Sequence, residues 1–114
     1  MRKLLVLPVL VAAGGLMAVF SAAAPSATRV KVGDNYFVRS SGVPTVTVSK
    51  GQRVKWVWRG RAPHNVKAVA GPSRFGSSTM TDGSYTKKLR RRGTYTIICS
   101  VHGGDVQKMK LVVK

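Results

Sequence analysis

The chain has 114 residues, with 20 Lys and Arg against three acidic side chains, a formal net charge of +17, two His and one Cys. That length holds one modest core, the single thiol excludes a disulfide within the chain, and the charge attracts anionic partners over about 8 Å at physiological salt without selecting a fold. Nucleic acid is not expected among those partners, because the cations are scattered except in "KKLRRR" at 87–92 and no nucleic-acid motif occurs.

Arg2 and Lys3 precede an apolar run from Leu4 to Phe20 that ends in small residues, the three-part layout of a secretory signal peptide. Cleavage is expected after Ala23, because a cut after Ala24 would set the Pro25 ring beside the scissile bond. The domain is then 24–114, with 18 basic residues against Asp34, Asp82 and Asp105 and a charge near +15. The alternative is an uncleaved anchor, since 17 apolar residues stand at the lower edge of what spans a bilayer. The expected address is secreted, periplasmic or cell-envelope, membrane-anchored where the segment is kept.

From Arg29 the pattern is β. "RVKV", "TVTVSKGQRVKWVW", "GTYTII" and "MKLVVK" alternate apolar with polar residues at period two and are rich in β-branched and aromatic side chains. In the second of these, Val54, Trp56 and Trp58 share one face and are read as core, while Lys55, Val57 and Arg59 share the other. Turn clusters recur at 33–35, 40–44, 49–52, 59–63, 81–84 and 90–93, and 70–84 is read as a long loop with one short strand at most. This punctuation predicts an all-β Greek-key sandwich or barrel of seven or eight strands. Met80 falls in the long loop as surface filler or as an apolar rim, Tyr95 packs inside with its hydroxyl bonded locally, and "KKLRRR" is a solvated hairpin edge.

The chemistry lies in "APHNV" and "YTIICSVHGGDVQKM", which hold the chain's whole stock of His and Cys: His64, Cys99 and His102. Cys99 ends a strand, His102 follows across a two-residue turn, and the 35 residues back to His64 suffice for two strands to return to one end of a sandwich. Two imidazoles and a thiolate make the trigonal donor set of a blue-copper centre, completed by a weak axial ligand. Zinc fits less well: a structural site asks for four strong ligands and a catalytic one for an open position and a base, for which Asp105 alone is at hand. Taken singly, a loop His is more often solvated and a strand-end Cys more often buried filler.

At these residues the chain resembles the cupredoxins, the blue-copper proteins of the plastocyanin, pseudoazurin and amicyanin group. "VTVSKGQRVKWVW…APHNV" is similar to the family's strand, loop and first-histidine segment, and "GTYTIICSVHGGDVQKMKLVV" to its Cys-x-x-His loop and closing strand. The resemblance implies one type 1 copper ion with His64, Cys99 and His102 as equatorial ligands. It also implies that Asn65 ties the two ligand loops together and steadies the cysteine sulfur. Where such proteins carry an axial methionine this chain places Gln107, as in the stellacyanin-like branch, with Met109 as the alternative axial ligand. A glutamine oxygen, harder than a thioether, favours Cu(II) and a lower potential.

The implied function is one-electron transfer between redox partners, with His102 as the exit and Gly103 and Gly104 leaving room for docking. A transient acidic redox partner, possible attachment to an anionic envelope or membrane surface, and a monomer are expected. The alternative is a copper-holding chaperone or buffer, for which Met80 and Met109 are the only cues. Catalysis is not expected, since a single copper with no neighbouring base has little with which to activate a substrate.

Overall fold

The computed structural model describes residues 26–114, so the expected leader or anchor over 1–23 lies outside the described residues. Eight strands follow one another: β1 (Thr28–Gly33), β2 (Tyr36–Phe37), β3 (Thr45–Val48), β4 (Arg53–Trp58), β5 (Lys67–Ala70), β6 (Ser84–Lys88), β7 (Gly93–Ile98) and β8 (Lys108–Val113). They form two four-stranded sheets, ordered β2-β1-β4-β6 and β3-β8-β7-β5. The architecture is an all-β sandwich, and no helix occurs among the described residues.

Period-two alternation decides which side chains fill the space between the sheets. In β4 it buries Val54, Trp56 and Trp58; in β7, Tyr95 and Ile97; in β8, Met109, Leu111 and Val113. Each large apolar side chain so buried contributes about 1.5–3 kcal/mol relative to leaving it exposed. Trp56 is completely buried and packs its ring against Phe75 and Tyr85 at centroid separations of 6.1 and 5.8 Å. Tyr95 is also completely buried, and its hydroxyl donates to the Arg91 carbonyl at 2.8 Å, closing the corner that leads into β7. Gly93 opens that strand at φ 142°, and a Cβ there would come within 2.5 Å of the Pro72 ring. Only glycine fits both conditions.

Two segments that are consecutive in sequence separate in space. The "TVTV" and "RVKWVW" segments fall into different sheets: β3 runs parallel to β8, and β4 parallel to β1. The long loop carries no strand, only isolated bridges from Gly76 to Lys67 and from Met80 to His64. "KKLRRR" begins on β6, an edge strand of its sheet, but Leu89 within it turns inward and is 1 % exposed. The charged edge is therefore pinned to the core by one apolar side chain.

Strand direction gives the sandwich two distinct poles. The C-terminal ends of β1, β4 and β7 and the starts of β6 and β8 share one pole, because Ser84 pairs with Val57 and Ile98 with Lys108. At the other pole Arg53 pairs with Lys88 and Gly93 with Val113. Six residues of β7 at about 3.4 Å each separate the two by roughly 20 Å.

Candidate metal centre

The strand phase that fills the core also aims the site residues. Tyr95 and Ile97 point inward on β7, so Cys99, two positions on, keeps the same direction just past the strand end and is completely buried. On the neighbouring strand Met109, Leu111 and Val113 point inward, and the same phase carried back past Lys108 buries Gln107. The backbones of these two positions are joined directly, Cys99 N donating to Gln107 O at 3.1 Å. The loop between them folds on itself through Gly103 N to Cys99 O at 2.8 Å and Gln107 N to Gly103 O at 3.0 Å. Gly103 takes φ 91°, a left-handed conformation that costs glycine little.

His64 arrives from the other sheet's side, in the segment between β4 and β5. Its carbonyl accepts from the buried Trp58 indole N–H at 3.1 Å, and its backbone exchanges two 2.9 Å hydrogen bonds with Met80. Met80 thus belongs to the rim of this site, half-buried against the core, and is not free surface filler.

One ligand atom from each of His64, Cys99 and His102 lies within 4.8 Å of the other two. Cys99 Sγ stands 3.4 Å from His102 Nδ1 and 3.9 Å from His64 Nδ1, and the imidazole centroids are 4.8 Å apart. His64 and Cys99 are buried, whereas His102 is half-exposed. Behind them Asn65 Nδ2 donates to Ser100 Oγ at 2.7 Å, and Ser100 N donates to Asn65 Oδ1 at 2.8 Å. This pair of bonds ties the His64 segment to the residue after Cys99.

The fourth side chain is Gln107. Its Nε2 donates to the carbonyls of Gly33 and Tyr36 at 3.2 and 3.1 Å, which spends both amide protons and turns Oε1 toward His64 Nδ1, 2.9 Å away. Met109, one inward position further along β8, is completely buried in the apolar core, with Ile97 opposite on β7.

Asp34, read from the sequence only as part of a turn, has a part in the site. Its Oδ1 accepts from His64 Nε2 at 2.7 Å, and the same carboxylate caps the backbone N–H groups of Arg61 and Ala62 at 2.8 and 3.0 Å. The hydrogen bond from His64, followed by those from the Arg61 and Ala62 amides, lowers its pKa from 3.8 to about 2. Gly60 makes room for this carboxylate, since a Cβ there would overlap it. No local signal marks Asp34; its partners lie 27 to 30 residues away.

These contacts test whether a metal fits. Asp34 holds His64 by Nε2, so Nδ1 is the ring atom that faces the site. Nδ1 lies 2.9 Å from the Gln107 oxygen and 3.9 Å from Cys99 Sγ, in a buried position. Two imidazole nitrogens and a cysteine sulfur in a tight triangle suit a copper ion.

Comparison with known proteins agrees. The family model described as "Copper binding proteins, plastocyanin/azurin family" matches residues 24–114. Amicyanin-alpha of Methylorubrum extorquens is 35% identical over 107 residues, covering 90% of this chain and 84% of that protein. Among solved structures, the Cu(I) form of a methionine-to-alanine variant of amicyanin is similar with a TM-score of 0.66 and 28% identity, covering 81% of this chain and 86% of that one. A methionine-to-glutamine amicyanin in the Cu(I) state gives a TM-score of 0.64 and 28% identity over 77% and 82%. The chain belongs to the plastocyanin/azurin family of copper-binding proteins, small blue-copper carriers of electrons.

Proposed function

We propose that this protein is an exported one-electron shuttle whose copper ligands are His64, Cys99, His102 and, axially, Gln107. Bound there, copper supplies a Cu(I)/Cu(II) couple. The observation that carries the reading is the convergence of one sulfur and two imidazole nitrogens within 4.8 Å on loops tied to each other and to two sheets. Side chains held from both sheets keep their places when the charge between them changes, which suits rapid electron exchange.

For the axial role, Gln107 has the support of its oriented amide, with both protons held by backbone carbonyls and the oxygen turned to the ligand set. Met109 serves the core instead. Asn65 holds the spacing between the His64 and Cys99 segments through Ser100. His102 is the half-exposed ligand, and Val43, Val101 and Val106 give its surroundings exposed apolar surface at 49%, 46% and 57% exposure. That surface fits a brief docking encounter in which the partner approaches the His102 edge. The large positive charge favours an acidic redox protein, met by a monomer outside the cytoplasm.

The test is the visible spectrum of the copper-loaded, oxidised protein followed by voltammetry. An intense thiolate-to-copper band with a reversible one-electron wave is expected. Copper held only as Cu(I) and yielded readily to a chelator would replace the shuttle with a carrier of metal.

A further inference from the structure

One group of cations stands at the pole opposite the metal centre. Three separate segments meet at the pole opposite the metal centre: Lys50 N donates to Lys114 O at 2.8 Å, and Gly51 N donates to Leu89 O at 2.6 Å. Their side chains give a concave surface lined by Lys50, Lys88, Arg90, Arg92 and Lys114, with exposed Arg91 and Arg53 beside it. No Asp or Glu side chain reaches this pole. All three carboxylates stand at the other end: Asp34 on His64, Asp82 in the turn before β6, and Asp105 in the loop between Cys99 and Gln107.

A pole roughly 20 Å from the ligands, along a six-residue strand, is a poor docking face for electron exchange, so this charge answers to a different partner. The chain itself indicates which. β1 runs parallel to β4 with Thr28 beside Val54, so the polypeptide enters the domain at the basic pole. Seven residues separate Phe20, the end of the apolar run, from Thr28, and an extended chain covers at most about 3.6 Å per residue. The basic pole is therefore held within about 30 Å of a segment with the composition of a membrane leader or anchor.

We propose that the copper-distal pole is a docking face for an anionic lipid surface, which orients the domain with His102 directed away from the bilayer. Phosphate headgroups supply the complementary charge, and five or more cations on one end act together, each contributing to binding within a Debye length of the surface. Where the leader is kept, it delivers this pole to the headgroups; where it is removed, the pole retains the charge that returns it there. The carboxylates at the opposite end disfavour the inverted orientation, in which they would come within a Debye length of the same surface.

The test uses the full chain with vesicles of phosphatidylcholine alone and with about a third phosphatidylglycerol, and reads the increment in binding that the anionic lipid adds. Any partition through the N-terminal segment is common to both vesicles. Replacing Arg90, Arg91 and Arg92 by Gln is expected to weaken that increment on the order of a hundredfold. The same charge change at the metal pole, Arg59→Gln, Arg61→Gln and Lys67→Gln, is expected to leave most of it. Amine labelling on the anionic vesicles is expected to spare Lys50, Lys88 and Lys114 while Lys67 and Lys108 react. Equal loss in the two triple variants, uniform labelling, or preference for nucleic acid over the vesicles at matched salt would each overturn the proposal. Because the readout is lipid binding, failure here leaves the electron-shuttle reading to its own spectroscopic test.

Discussion

Gln107→Met separates the two tasks given to this side chain. The amide nitrogen holds the carbonyls of Gly33 and Tyr36, and a thioether donates to neither. Two hydrogen bonds at about 1 kcal/mol net each give a loss of roughly 2 kcal/mol in the metal-free protein, read from the urea midpoint. The amide oxygen acts on the redox balance. A polar group facing an ion that carries one more unit of charge when oxidised is worth about 1.5–3 kcal/mol, the scale of a hydrogen bond to a charged group. At about 59 mV for each 1.4 kcal/mol in a one-electron couple, the substitution raises the reduction potential by about 60–130 mV. Voltammetry of wild type and variant at one pH measures it. An unchanged or lower potential, with stability falling as expected, would leave Gln107 a structural residue and refute the axial assignment.

Asp34 links acid stability to the site. Its folded pKa of about 2 lies below the ordinary 3.8, so its contribution is complete above about pH 4 and is lost as pH falls through about 2. Thermal unfolding of the metal-free protein from pH 5 to pH 2 should fall more steeply in wild type than in Asp34→Asn; parallel curves would contradict this. Asn65→Ala removes both bonds to Ser100, and the visible band of the copper-loaded variant should shift and broaden as the Cys99 and His64 segments lose their tether. An unaltered spectrum would show that the backbone alone sets their spacing. Trp56→Ala should cost about 3–5 kcal/mol in chemical denaturation, because a completely buried ring between two aromatic neighbours leaves a cavity the sheets cannot close. A loss under about 1 kcal/mol would mean that the core collapses around the gap.

What the sequence determined by itself was the alternation along β4, β7 and β8, and with it the inward phase of Trp56, Tyr95 and Leu111, because a strand's side-chain period is a local property. Carrying that phase past the strand ends already directs Cys99 and Gln107 inward, and the chain's sparse His and Cys made the ligand set conspicuous. Only the tertiary structure decided what depends on contacts between distant segments. It split "TVTV" and "RVKWVW" between two sheets, seated Met80 against His64, and brought the Asp34 carboxylate to a ring 30 residues away. It also sorted the charge, gathering cations from three segments at one pole and the three Asp side chains at the other. Composition counts such charges, but their field depends on where each strand begins and ends, and that is set by how the two sheets pair.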